Sequence, residues 1–206
     1  MNSLEKMKDN RPERNIAILT SGKSRGSNFL AIYNFFKKEN YPVRIAFATV
    51  NNPQAPILDK CRELGLQCLY LPTKDMAEFE VALLAHLIEK KVELIALAGF
   101  LKKLSADFIR EFGKPILNIH PALLPLYGGE GMYGERVHQA VFAAGEKESG
   151  ATVHLVNEMY DAGKIVSQQR ISITDCLSPE EIAARVLKIE HQIYAPAIWK
   201  VLSDQG

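Results

Sequence analysis

Asn118 and His120 are the residues best placed to do chemistry, within the run Ile116-Leu117-Asn118-Ile119-His120-Pro121-Ala122-Leu123-Leu124-Pro125. This apolar run reads as a buried strand whose last residues emerge into a loop at Pro121, because proline has no N–H to give to a sheet ladder. Successive side chains of a strand point to opposite faces, so Asn118 and His120 share one face, roughly 6 to 7 Å apart along the strand. Leu117 and Ile119 take the other face. An amide and an imidazole side by side can hydrogen-bond an oxygen on which negative charge develops and can move a proton. The same pair can also be a core histidine bonded to its neighbouring asparagine. Asp161, ahead of Gly163, could add a carboxylate, although Asp-x-Gly is also an ordinary turn.

The elements that must position these residues alternate between strand and helix. Apolar runs at 15–20, 43–50, 68–71 and 94–97 have the length and continuity of buried parallel strands. Helical spacing predicts helices at 29–38, 55–64, 76–90 and 136–144, the second closed by Gly65. The pattern implies one open α/β sheet, with strand order left open. Ligands of such sheets lie outside the carboxyl ends of the strands, which makes the loops after Thr20, at 98–104 and after His120 the candidate site. The first of these reads Ser21-Gly22-Lys23-Ser24-Arg25-Gly26-Ser27-Asn28 and leads into a helix. Unpaired N–H groups and the positive dipole end could hold a phosphate at Gly26, Ser27 and Asn28, or Ser27 or Asn28 could be a plain helix cap. The spacing matches neither a dinucleotide fingerprint nor a P-loop.

After the central motif, Gly128, Gly129 and Gly131 mark a loop that reads either as a moving lid or as a surface connection. Runs at 151–156 and 165–173 predict an antiparallel edge pair. Ser178-Pro179-Glu180-Glu181 opens a C-terminal helix running toward Leu202, with Pro196 expected to kink or break it.

Composition limits the partners. With 206 residues, 47% hydrophobic and 24% charged, the chain suits one soluble domain, expected over 15–206 behind a charged, mobile tail at 1–14. A formal net charge of +1 supplies no field to attract nucleic acid or a membrane surface, so the partners expected are small molecules. The 3 cysteines, Cys61, Cys68 and Cys176, lack metal-site spacing and an even count, which suggests a reducing, cytoplasmic compartment without disulfides or bound metal. The tail has no apolar segment of signal-peptide or membrane-span character.

Taken together, Ser21-Gly22, Gly26-Ser27-Asn28, Ala98-Gly99-Phe100, the segment 117–125, the segment 150–154 and Asp161-Ala162-Gly163 resemble the folate-dependent formyltransferase family. The resemblance runs from about Asn15 to Trp199. It implies a Rossmann-like, doubly wound and mostly parallel sheet with an antiparallel edge pair and a C-terminal helix. It also implies transfer of a formyl group from 10-formyltetrahydrofolate to the amino group of 5′-phosphoribosylglycinamide, in purine biosynthesis and without a metal. Asn118, His120 and Asp161 would be the catalytic trio. Gly26, Ser27 and Asn28 would hold the substrate phosphate, and Pro121 and Glu190 would contact the nucleotide. Phe100, Leu101, Lys103 and Leu104 would form the folate pocket with Val156, Asn157, Glu158, Met159 and Tyr160.

The chemistry asks for these types. Amine attack on the formyl carbon builds charge on the former carbonyl oxygen, which the Asn118 amide and a protonated His120 can stabilise. A nearby Asp161 could favour the imidazolium of a side chain that titrates near pH ~6.5, and through a water relay a proton to the leaving nitrogen. The chain departs from the family in its longer phosphate loop, in its glycine-rich segment after Pro125, and in lacking an arginine near Met76, where Lys74 could substitute. By family analogy His154 lies near the folate pocket; its apolar strand suggests a structural histidine. His86 and His138 read as solvated or packing side chains, and His191 carries no assigned role. Three other activities are compatible: formylation of an amino sugar nucleotide, formyltetrahydrofolate hydrolysis, and noncatalytic nucleotide binding. The sequence leaves the choice between monomer and homodimer open.

Overall fold

The computed structural model describes residues 12–21 and 26–204. Most of the expected tail and residues 22–25 of the first glycine loop lie outside them. In chain order the elements are β1 (Arg14–Leu19), α1 (Ser27–Lys38), β2 (Val43–Val50), α2 (Ile57–Glu63), β3 (Cys68–Tyr70), α3 (Met76–Glu89) and β4 (Leu94–Leu97). They continue with α4 (Ala106–Phe112), β5 (Ile116–His120), α5 (Glu135–Ala143), β6 (Glu148–Leu155), β7 (Ile165–Ser172) and α6 (Pro179–Ser203).

These strands form one sheet in the order β3-β2-β1-β4-β5-β6-β7, the order the sequence left open. Pairing is parallel from β3 through β5, and antiparallel from β5 to β6 and from β6 to β7. The order reverses between β1 and β4, where doubly wound sheets open a crevice. The three candidate loops therefore follow three adjacent strands, β1, β4 and β5, and Ser21 N–H donates to the Gly99 carbonyl at 3.1 Å between two of them.

Each sheet face buries its own core. On one side Phe29, Ile32 and Phe36 of α1, Ile57 of α2, Val141 of α5 and the apolar stripe of α6 pack on Leu117, Ile119, Ala151 and Val153. On the other, Phe79, Leu83 and Leu87 of α3 and Phe108 and Phe112 of α4 pack on Leu19, Ile95, Leu97 and Ile116. Tyr194 of α6 is 1% exposed, and its hydroxyl lies 2.9 Å from the Leu97 carbonyl and 3.0 Å from that of Leu117. One side chain thus ties the long helix to the end of β4 and the start of β5.

One expectation fails, and one element was not foreseen. Helix α6 runs without interruption through Pro196, because that residue and Gln192, whose carbonyl it leaves without a helical partner, both face solvent. The buried faces of Ile193, Tyr194, Ala197 and Ile198 hold the turns on either side. Helix α4 was not anticipated, although its signals are present: the Ser105 hydroxyl accepts from Phe108 N–H, and Gly113 closes the helix at φ 61°. Smaller differences lie at element ends, with α1 starting at Ser27, α2 at Ile57 and β6 at Glu148.

Candidate active site

Strand β5 places Leu117 and Ile119 in one core and Ile116 in the other, so Asn118 and His120 share the α3/α4 face, as the alternation requires. Antiparallel pairing with β6 sets His154 opposite Asn118 and Thr152 opposite His120. The turn after β6 then brings Asp161 back over the same face, in a left-handed conformation at φ 52° that aspartate tolerates.

Asp161 lies between two histidines. Its Oδ2 is 3.6 Å from His120 Nδ1 and its Oδ1 is 3.4 Å from His154 Nε2. The amide nitrogen of Asn118 is 3.1 Å from the same His154 Nε2, and His154 Nδ1 is 3.0 Å from the Leu155 carbonyl. The glycine-rich segment completes the cluster: His120 Nε2 donates to the Tyr127 carbonyl at 2.8 Å, and Gly129 N–H donates to Asp161 Oδ2 at 2.9 Å.

Burial lowers the proton affinity of His120, and this outweighs the opposing pull of Asp161 and the Tyr127 carbonyl. Asp161 pulls toward the imidazolium, the direction expected of it, but desolvation is larger. Burial pushes Asp161 up, yet the adjoining His154 and His120 side chains and the Gly129 N–H together carry it below the ordinary carboxylate value. His138 of α5 is buried with its Nδ1 unpartnered among the described residues, and burial together with the charge of His120 lowers it to about 4.

Behind the turn, Thr152 binds the segment that follows His120. Its fully buried hydroxyl donates to the Ala122 carbonyl at 2.6 Å and accepts from Leu124 N–H at 3.1 Å and Gln168 Nε2 at 2.9 Å. Gln168 also donates to the Leu124 carbonyl at 3.0 Å. Pro121, half-buried, begins this clamped segment.

At the start of α1, Gly26 is left-handed at φ 72°, and a Cβ there would lie 3.1 Å from Ile57 Cδ1. Neither Ser27 nor Asn28 caps the helix by side chain. Instead Asn28 Nδ2 donates to Glu190 Oε2 at 2.6 Å, joining two residues that sequence reasoning had assigned to the same ligand. Glu190 is 8% exposed, and burial raises its pKa against the pull of Asn28. Asn28 Oδ1 is buried and has no partner among the described residues.

The third group also converges. Phe100 and Leu104 are buried, Phe100 stacking on Phe79 with ring centroids 5.5 Å apart, while Leu101 is exposed. Lys103 sits with its ammonium 4.9 Å from the Tyr160 ring centroid, linking the loop after β4 to the segment after β6. Val156 N–H donates to the Ile116 carbonyl, and Asn157, Glu158, Met159 and Tyr160 are exposed beside it.

Residues 14–198 match the sequence profile of the formyl transferase family. The chain belongs to the formyl transferase family. It is 34% identical over 192 residues to phosphoribosylglycinamide formyltransferase of Bacillus subtilis, covering 92% of this chain and 95% of that one. It is 36% identical over 188 residues to the chloroplastic phosphoribosylglycinamide formyltransferase of Vigna unguiculata, covering 90% of this chain but only 60% of the plant protein's length. The solved phosphoribosylglycinamide formyltransferase of Coxiella burnetii superposes with a TM-score of 0.81 at 32% identity, over 94% of this chain and 89% of that one. The family implies a folate co-substrate and small-molecule substrates. Among the described residues no helix is long and apolar enough to cross a membrane.

Sequence reasoning missed His154, Thr152 and His138 as members or supports of this cluster. Thr152 and His154 alternate as polar residues on one face of an otherwise apolar strand, which was a usable signal; that they face His120 and Asn118 depends on a register the sequence does not state.

Proposed function

We propose that this protein transfers the formyl group of 10-formyltetrahydrofolate to the amino group of 5′-phosphoribosylglycinamide. The observation that carries the reading is the cluster of Asn118, His120, His154 and Asp161 at the end of β5, two strands across the sheet from the Gly26–Asn28 helix start that follows β1, in a chain whose relatives bear that name.

In this reading the amine nitrogen bonds to the formyl carbon, the bond from that carbon to the folate nitrogen breaks, and one proton passes from the amine to the leaving nitrogen. Charge on the formyl oxygen is met by an N–H of Asn118, and by His120 when its Nε2–H turns from the Tyr127 carbonyl to that oxygen. Asp161 offsets part of the cost of charging His120 in its buried setting. Gly26, Ser27 and Asn28 bind the substrate phosphate, with Pro121 and Glu190 against the nucleotide. The folate lies against Phe100, Leu101, Lys103, Leu104 and the segment 156–160. A cytoplasmic location accords with the three unpaired cysteines.

The test supplies purified protein with 10-formyltetrahydrofolate and, in separate reactions, 5′-phosphoribosylglycinamide or an amino sugar nucleotide, with His120→Ala as control. Acceptor-dependent loss of formylfolate and a formylated product of the first acceptor alone are expected. Turnover without an acceptor would indicate a hydrolase, and formylation of only the sugar nucleotide would replace the substrate assignment. Tight nucleotide binding without any turnover would leave a binding module.

A further inference from the structure

Asn118 is useful to a developing oxyanion only if its amide is turned the right way, and a carboxamide has two heads that differ in nothing but hydrogen bonding. The neighbours of His154 decide which way it turns. His154 Nδ1 lies 3.0 Å from the Leu155 carbonyl, and a carbonyl cannot donate, so Nδ1 carries a proton. A neutral ring then has a bare lone pair at Nε2, and only the NH2 head of Asn118, 3.1 Å away, can satisfy it. A doubly protonated ring would instead place a donor at Nε2, pair with Asp161 Oδ1 at 3.4 Å, and oblige Asn118 to present its oxygen.

Charge balance selects between the two states. His154 is 2% exposed, and among the described residues Asp161 is the one carboxylate in contact with its ring. The same carboxylate faces His120 and already accepts Gly129 N–H. One buried carboxylate can compensate one imidazolium, and a second uncompensated charge at this depth is costly. We propose that His154 is a positioning residue, held neutral with its proton on Nδ1, whose Nε2 accepts one N–H of Asn118 and so leaves the second N–H of that amide for the formyl oxygen. The same bond directs the proton that Asp161 can support to His120 rather than to His154. A cross-strand pair thereby sets the polarity of the amide and assigns the charge within the cluster.

The catalytic consequence rests on the formyl-transfer reading; the tautomer and the amide orientation do not. Imidazole nitrogen NMR of the full chain at neutral pH should find His154 with Nδ1 protonated and Nε2 unprotonated, and an Asn118 side-chain N–H shifted downfield by its bond to the ring. A proton on Nε2 would overturn the proposal whatever the activity. In single-turnover assays His154→Leu should slow the chemical step by roughly 10²-fold, the cost of losing one oriented donor, with both Michaelis constants changed by less than about threefold. His154→Gln, which can place an acceptor near the position of Nε2, should recover the rate to within about tenfold of the parent and restore the shifted Asn118 resonance. A parent-like rate in folded His154→Leu would overturn the proposal, as would equal losses in the Leu and Gln variants. If the parent transfers no formyl group, the function reading fails, and the resonances alone decide the positioning.

Discussion

Replacing Thr152 with valine tests whether the hydroxyl behind His120 holds the site together. Valine keeps the shape and removes one oxygen, which donates to the Ala122 carbonyl and accepts from Leu124 N–H and Gln168 Nε2. Ala122 is fully buried and Leu124 is 5% exposed, so water cannot replace the lost partner. Gln168 keeps its bond to the Leu124 carbonyl, which leaves two backbone groups orphaned. At ~1–3 kcal/mol for each buried unsatisfied group, the change should cost about 2–6 kcal/mol. That is a large share of the ~5–15 kcal/mol by which domains are stable, and it should lower the melting temperature by on the order of 10 °C. Thr152→Ser, which keeps the hydroxyl and loses a methyl, should cost only about 1 kcal/mol. Urea denaturation of the three proteins side by side gives the difference. Valine and serine variants of equal stability would show that the hydroxyl is not what binds segment 121–125 to β6.

Three further outcomes follow from the same geometry. Gly26→Ala forces a Cβ into a left-handed position 3.1 Å from Ile57 Cδ1, so the Michaelis constant of the amine acceptor should rise while formylfolate binding by titration stays near the parent value; equal weakening of both ligands would contradict the phosphate assignment. His138 is lowered to about 4 from an ordinary value near 6.5, so the unfolded chain binds a proton that the native protein does not, and stability should fall as pH drops from about 6.5 toward 4 by up to about 3 kcal/mol. His138→Gln should flatten that part of the profile, and an unchanged slope would refute the assignment. Asp161→Asn removes the charge that raises His120, so the alkaline limb of the single-turnover rate should move to lower pH; a limb that stays in place, with chemistry confirmed as the observed step, would rule out the pairing.

What the sequence made legible was local. The alternation at Asn118 and His120, the buried runs of β1, β2 and β4 and the capped start of α6 each follow from a few consecutive residues, and the structure keeps them. What it hid was long-range. His154 reads as a structural histidine because its neighbours in sequence are apolar, and it becomes part of the cluster only when the register sets it against Asn118. Asp161 reads as a turn residue, and it is one, at φ 52°. The turn is also what aims the carboxylate, and Gly163 shows why: a Cβ there would lie 1.6 Å from the Leu155 carbonyl oxygen, so only glycine lets the chain fold back so closely onto β6. Turn residue and functional residue were offered as alternatives, and one geometry is compatible with both. At Pro196 the local rule overreached in the other direction, since the helix does not break there and both Pro196 and Gln192 lie on its exposed side.

The glycine-rich segment after Pro125 gains a physical role from the same contacts. Sequence alone left it between a lid and a plain connection, because glycine reports permissiveness and no more. In the structure it supplies the backbone partners of two of the proposed catalytic side chains, the Tyr127 carbonyl to His120 Nε2 and Gly129 N–H to Asp161 Oδ2. Gly128 between them has no room for a side chain: a Cβ would lie 2.5 Å from Leu124 Cδ2 and 3.2 Å from Asp161 Cβ. Leu124 in turn is held by Thr152 and Gln168. The path from β6 through Thr152 and Leu124 to Gly128 and Asp161 is thus continuous, and it returns to β6 at His154. Groups so linked share their losses, so substitutions at Thr152, Gly128 and Asp161 should interact in double-mutant cycles rather than add. The closed path explains why a loop rich in glycine lies against the buried His120 and the largely buried Asp161: the tightness of the site excludes side chains from its cover.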